Sequence, residues 1–252
     1  MTYDYKQGKK RVEELLNNSI NIVDSENIPQ VESAFTFDNG YYNWITGIFV
    51  DIRDSSHLFS KKGLSDKKKT AKLVRAFTSE IIEILRDDKN LREIGIRGDC
   101  VYAIYTTKSK NDELSCANKT FYINTYLEML NKLLKDRGEE TFKAGIGMAT
   151  DQELVIKAGR SRTGINSKVW IGNAVTRASN LSSLGESSIT SNRIFYSKLS
   201  YDNFIDGLKK RNSEKNVDSW FTKYVDDDGE VSYHANIVKS EYNEWIDSGM
   251  DD

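Results

Sequence analysis

The chain has 252 residues, 38% hydrophobic and 29% charged, with a net charge of −2 and a pI near 5.9. That balance fits a soluble globular protein and argues against a dedicated nucleic-acid-coating protein, whose electrostatic footprint is strongly basic. No stretch approaches the roughly 20 apolar residues that cross a bilayer, the opening Met1 to Lys6 lacks the apolar core of a secretion signal, and Cys100 and Cys116 give neither a disulfide framework nor a metal-binding spacing. No membrane and no nucleic-acid partner are therefore expected, and a reducing cytoplasm is the expected location.

In chain order, Val12, Leu15 and Leu16 at helical spacing predict a short helix over Gly8 to Ile20. Glu26 to Pro29 reads as a turn, followed by an irregular stretch to Asn39-Gly40. Trp44 to Arg53 is nearly all apolar and reads as a central strand. Ser55-Ser56 can cap a short helix through Lys62. Ser65 or Asp66 then caps a long helix with Leu73, Val74, Phe77, Ile81, Ile84 and Leu85 on one face. Leu91 to Thr106 reads as a hairpin with Gly98-Asp99 at its tip. A second long helix is predicted over Glu113 to Asp136. Phe142 to Thr150 and Glu153 to Gly159 read as two strands around a tight turn, and Gly159 to Lys168 as a flexible basic loop. Gly172 opens a helix through Leu184. From about Ser200 the pattern weakens, with a hairpin around Asp226 to Gly229 and a final helix over Ala235 to Trp245. These elements predict an α+β fold of the palm-like, ferredoxin-like group: a mostly antiparallel sheet with helices on one face.

Asp51 at a strand end and Asp99 at a hairpin tip both lie in buried-type sequence. Burying carboxylates without a partner is costly, so a cation is expected beside them. A divalent metal holding a nucleoside triphosphate is the natural candidate.

Four segments sharpen this expectation. Phe49-Val50-Asp51-Ile52-Arg53, Arg97-Gly98-Asp99-Cys100-Val101, Lys143-Ala144-Gly145-Ile146-Gly147 and Gly172 to Leu181 come in that order. Together they resemble the successive signatures of the class III nucleotidyl cyclases, over roughly Trp44 to Tyr196. The resemblance implies a dimeric cyclase homology domain. It implies two divalent metals per active site, Mn²⁺ or Mg²⁺, held by Asp51, Asp99 and the Ile52 carbonyl. It also implies a homodimer whose active sites are shared between subunits.

The departures from the family pattern matter equally. Purine-using members carry a lysine and an acidic residue where this chain has Gly95 and Val169, neither of which can read a purine edge. The remaining pattern resembles the pyrimidine cyclases of bacterial anti-phage systems. That resemblance implies a product, cyclic UMP or cyclic CMP, acting on a separate effector, with UTP slightly preferred over CTP as substrate. Phe49 would face the nucleotide. Thr176 and Asn180 stand where the family has a ribose-orienting Asn and a transition-state Arg. Arg177 lies about 100° round the helix from Thr176 and cannot simply substitute. Lys143 is the leading triphosphate contact, acting as a point charge, and Arg160, Arg162 or Lys168 could supply a further cation.

The expected organisation is a helix and lead-in over 1–43, a catalytic domain over 44–199, and an extension over 200–252 that packs on the core or the dimer partner. Two other readings stand beside the pyrimidine cyclase: a purine cyclase, and a nucleotide-binding dimerisation module without catalysis. Lys61-Lys62 and Lys67 to Lys69 read as a solvated helix face, His57 and His234 as structural or exposed, and Asp226 to Gly229 as a turn.

Overall fold

The computed structural model describes residues 2–24, 27–55, 66–160 and 163–251. The short helix expected after Ser55, with Lys61, Lys62 and His57, falls almost wholly outside these residues, as does Arg162. The chain divides into two compact units, one of residues 1–43 and 153–171, the other of residues 44–152 and 172–252.

In the first unit, α1 (Tyr5–Asn17) starts three residues earlier than expected, because the Asp4 side chain caps it by accepting from the Lys6 and Gln7 N–H groups. The irregular stretch before Asn39 contains β1 (Asn21–Asp24), which pairs in parallel with Asn39 to Tyr42, the opening of β2 (Asn39–Ile52). Strand β2 therefore begins five residues before Trp44. The basic loop expected to run to Lys168 is shorter, since β6 (Asn166–Ile171) pairs antiparallel with the far end of β5 (Ala144–Gly159). Lys168 pairs with Glu32 at 2.9 Å and lies over the Phe35 ring.

The second unit carries β3 (Leu91–Arg97), β4 (Cys100–Thr106), β7 (Ile194–Ser197), β8 (Thr222–Val225) and β9 (Val231–Ala235). The sheet order is β3-β4-β2-β5-β7-β9-β8. Strand β4 pairs antiparallel with both β3 and β2, β9 pairs antiparallel with both β7 and β8, and β5 runs parallel to β7. Helices α2 (Lys67–Arg86), α3 (Lys110–Asp136), α5 (Lys198–Arg211) and α6 (Ser240–Asp247) cover one face. Helix α2 is amphipathic as expected: Leu73, Phe77, Ile81 and Leu85 recur at four-residue spacing and are buried against Ile48, Val50, Val101 and Ala103. Each such side chain contributes ~1.5–3 kcal/mol of burial. Helix α3 starts at Lys110, earlier than expected, because Ser109 and Asp112 form a capping box. The fold is α+β with a mostly antiparallel sheet, as the sequence predicts.

Strand β5 is one continuous strand of 16 residues rather than two around a turn. No residue between Thr150 and Glu153 has a positive φ. What changes along β5 is its partner: Ile146 to Met148 pair with β7, and Leu154 to Gly159 pair with β6. Its first half alternates strictly. Ala144, Ile146 and Met148 enter the main core, while Ala149 joins Ala178, Leu181 and Phe195 on the other face. There α4 (Asn173–Ser182) packs directly on the sheet. A Cβ on Gly145 or Gly147 would collide with the carbonyl oxygen of Ser182 or Ala178 respectively, so the helix backbone rests on the strand backbone.

One buried acid lies at the heart of this unit. Glu113 of α3 is 2% exposed, and its carboxylate accepts from Thr46 Oγ1 at 3.1 Å and Thr150 Oγ1 at 2.8 Å. Thr107 and Ser200 extend the hydroxyl network. Burial pushes the Glu113 carboxyl up from its ordinary 4.5 to about 7, against the opposing pull of the hydroxyl bonds. The folded state thus keeps a proton that the unfolded chain releases near pH 4.5. Stability falls as pH rises from there to about 7 and then levels. Glu113→Gln is expected to raise the melting temperature at pH 8, removing a cost of up to about 3 kcal/mol, and to change little at pH 4.5. Equal shifts at both pH values, measured by calorimetry, would contradict this account.

Candidate active site

The two aspartates predicted from sequence meet across the β2–β4 pair. Asp51 is the penultimate residue of β2 and lies opposite Cys100, the first residue of β4. Asp99 precedes Cys100 in the two-residue turn between β3 and β4. Gly98 takes φ +64° in the first turn position, which favours glycine there and fixes the hairpin register. Because Val50 and Val101 point into the core, Asp51 and Cys100 point to the opposite face. Partial burial, then the Asp99 charge and a hydrogen bond to Asp99, push the Asp51 carboxyl up from 3.8 to about 6, while Arg53 pulls it down. Burial and the neighbouring Asp51 raise the Cys100 thiol to about 12, so it remains a protonated thiol.

One row further along β2 and β4 the face is aromatic. Phe49 lies opposite Tyr102, and their rings stack with centroids 5.3 Å apart and an interplanar angle of 16°. Tyr102 in turn lies opposite Gly95 on β3. A Cβ on Gly95 would come within 2.8–2.9 Å of the Tyr102 ring and hydroxyl. The Tyr102 hydroxyl donates to Glu93 Oε1 at 2.8 Å, which anchors the ring over the glycine. The sequence singles out Phe49 and Gly95 as candidates but not the Tyr102 and Glu93 that lie against them. Only the strand register reveals them, since Tyr102 reads in sequence as one strand residue among several.

Lys143 is exposed at the approach to β5, and its carbonyl accepts from the Arg53 N–H at 2.8 Å, two residues from Asp51. Ile52 ends β2 with its side chain buried. Asp51, Asp99, Ile52, Phe49 and Lys143 thus share one end of the β2–β4 region. Val169 belongs to β6 in the first unit, paired with Ile156 and partly exposed.

The remaining candidates sit on α4. Thr176 and Asn180, one turn apart, are both exposed because Ala174 and Ala178 take the sheet-facing positions. They line a cleft of about 510 Å³ together with Asp151, Asn173, Tyr224 and Ser232. Neither Asp51 nor Asp99 lines it. Arg177 is already engaged, pairing with Glu230 at 2.6 Å and donating to the Val231 carbonyl at 3.1 Å. It tethers α4 to the β8–β9 hairpin.

Among the described residues no cluster of three acidic, histidine or cysteine side chains forms a closed metal cage. Two adjacent carboxylates, one raised in pKa by burial and by the other's charge, still suit a hard divalent ion. Mg²⁺ in particular takes one or two carboxylates and completes its shell with water and phosphate oxygens.

This is the fold of the class III cyclases. The structure superposes on a class III adenylyl cyclase-like ATP-binding protein from Pseudomonas aeruginosa with a TM-score of 0.66 at 13% identity, covering 94% of this chain and 48% of that one. No family model matches the chain. A uridylate cyclase from Treponema porcinum is 44% identical over 250 residues, covering 99% of this chain and 83% of the relative. One from Gulbenkiania mobilis is 34% identical over 207 residues, 80% of each. The chain belongs to the uridylate cyclase family.

Without metal, ionised Asp51 destabilises the folded state as pH rises from about 4 to about 6, because its folded pKa lies above its ordinary value. In chelator at pH 7.5, Asp51→Asn is expected to melt higher than the parent chain. Added Mn²⁺ is expected to raise the parent's melting temperature and leave that of the variant unmoved. Equal stabilisation of both by Mn²⁺ would remove Asp51 from the metal site.

Proposed function

We propose that this protein is a metal-dependent uridylate cyclase that converts UTP to 3′,5′-cyclic UMP and diphosphate. The carrying observation is that a paired metal-type carboxylate site, Asp51 with Asp99, lies beside a base region whose lysine position is Gly95 overlaid by Tyr102. The purine-reading amine is absent there, and an aromatic ring fills the space its stem would use. The 34–44% identical relatives named uridylate cyclases support the choice of base.

In this reading Asp51, Asp99 and the Ile52 carbonyl hold two divalent ions, Mn²⁺ or Mg²⁺. When bound, these neutralise the triphosphate and lower the pKa of the ribose 3′-hydroxyl. The chain's own residues do the rest. Lys143 meets the triphosphate as a point charge. The Phe49–Tyr102 stack offers its face to the uracil ring. The bond from the 3′-oxygen to the α-phosphorus forms in line as the bond to the departing diphosphate breaks, and the hydroxyl proton is released. Thr176 and Asn180 orient the ribose and phosphate from a second protomer. That assignment is supported by the cleft that exposes them and excludes both aspartates. A head-to-tail homodimer then has two equivalent sites. The family resemblance further suggests a cytoplasmic messenger function in bacterial antiviral defence, with cyclic UMP acting on a separate effector.

Purified protein incubated with Mn²⁺ and each of the four nucleoside triphosphates is expected to yield cyclic UMP as the main product, with cyclic CMP second. Asp51→Ala and Asp99→Ala should each lower turnover by at least about 10²-fold. Predominant cyclic AMP or cyclic GMP would refute the base assignment, and turnover surviving both substitutions would refute the metal mechanism. In the same assay Tyr102→Ala is expected to raise the KM for UTP several-fold. An unchanged KM would remove the ring from the base pocket.

A further inference from the structure

On the helix-covered face of the sheet, away from Asp51 and Asp99, lies a cavity of about 720 Å³. Its walls come from the first half of α3, the end of α5, the segment after it, and the β9–α6 connection. In volume it matches sites for small organic ligands, which run to ~300–1,000 Å³. Its charge is unusual for this chain, which is net negative overall. Arg211, Lys215 and Lys239 line it, and no carboxylate does. Asp218, which precedes the lining residue Ser219, is paired with Lys209 at 2.7 Å. Among the described residues none of the three cations has an ion-pair partner. Lys239 donates to Asn118 Oδ1 at 3.1 Å and lies over the Tyr122 ring, and Lys215 lies over Trp220. All three contacts are with neutral groups and leave the positive charges uncompensated. Trp220 adds a planar indole to the lining, with its other contacts against the main core. Three uncompensated cations beside an indole suit an anionic ligand with a flat ring.

The β8–β9 hairpin connects this cavity to the catalytic cleft. Thr222 at its start and Asn236 just past its end line the cavity. Tyr224, Glu230 and Ser232 line the cleft that holds Thr176 and Asn180. Glu230 and the Val231 carbonyl hold Arg177 of α4. A shift of the hairpin at one end therefore reaches α4 at the other.

We propose that this cavity is a second ligand site. It takes a phosphate-bearing planar molecule of nucleotide size and transmits its occupancy to α4 through the β8–β9 hairpin. The phosphate sits among Arg211, Lys215 and Lys239, and the ring lies on Trp220. The binding half of the proposal is independent of the cyclase reading, so it is tested in chelator with no triphosphate present.

The probes are adenosine 5′-monophosphate and inorganic phosphate, titrated by calorimetry into the full chain, into Asp51→Asn, and into the double variant Arg211→Gln with Lys215→Gln. Both substituted cations are exposed, so the double variant is expected to melt with the parent. Saturable adenosine monophosphate binding is expected in the parent and in Asp51→Asn, about tenfold or more weaker in the double variant. Phosphate alone is expected to bind more weakly than the nucleotide. Amide hydrogen exchange across Thr222 to Ala235 should slow when the nucleotide binds to the parent. The proposal falls if no saturable binding is found at millimolar nucleotide, if the double variant binds equally well, or if Asp51→Asn rather than the double variant loses binding. Phosphate binding as tight as the nucleotide's would overturn the role of the indole. Unchanged exchange on a saturated protein would overturn the link to α4.

Discussion

The close contact of α4 with β5 governs the arrangement of this molecule. Packed layers of secondary structure usually stand about 10 Å apart, with side chains filling the gap. Here the pair Gly145 and Gly147 removes the strand's side chains from that face, and Ala174 and Ala178 keep the helix's own small. Two backbones then touch, and the rotation of α4 is set by which of its residues are small enough to fit. Thr176 and Asn180 are exposed because the alanines are not. The hairpin β8–β9 and the Gly185 turn are arranged around this contact, and Gly185 itself lies against Gly145 with no space for a side chain.

Charges inside the second unit are handled in three different ways. Arg193 is nearly buried and ion-paired, meeting Glu128 at 2.6 Å, Glu186 at 3.0 Å and Asn124 at 3.1 Å. Glu186 also accepts from the Ala144 N–H, so this cluster joins α3 to the start of β5 and β7. Glu113 has neutral donors around it, the Thr46, Thr107 and Thr150 hydroxyls and the Asn203 side chain, and resolves its burial by holding a proton. Asp51 has another carboxylate beside it and the Arg53 charge pulling the other way, and its carboxyl stays raised, to about 6.

Much of this is legible in the sequence because the signals are local. Asp51 at the end of an apolar run, Gly98-Asp99 between strand residues, and the amphipathic face of α2 each lie within one short window. The α+β class and the order of the central elements follow from those windows. Tyr102 over Gly95 is not legible, since it depends on which strand residue lies opposite which. Strand β5 reads falsely as two strands at Thr150 to Gln152 because a change of partner leaves no mark in a single chain segment, while a polar triplet imitates a turn. Strand β7 is hidden for another reason: its four residues are all buried, so the alternation that marks a strand is missing. Helix α5 follows it with only Ser200, Phe204, Ile205 and Leu208 buried, too sparse a stripe to stand out.

The Tyr102 ring couples position 95 to its neighbours across the sheet. A side chain at position 95 would place its first carbon 2.8–2.9 Å from the ring that Glu93 holds, so the Tyr102 ring must shift to admit it. A change at position 95 is thereby felt two strands away, at Phe49, through the Tyr102 ring that stacks on it.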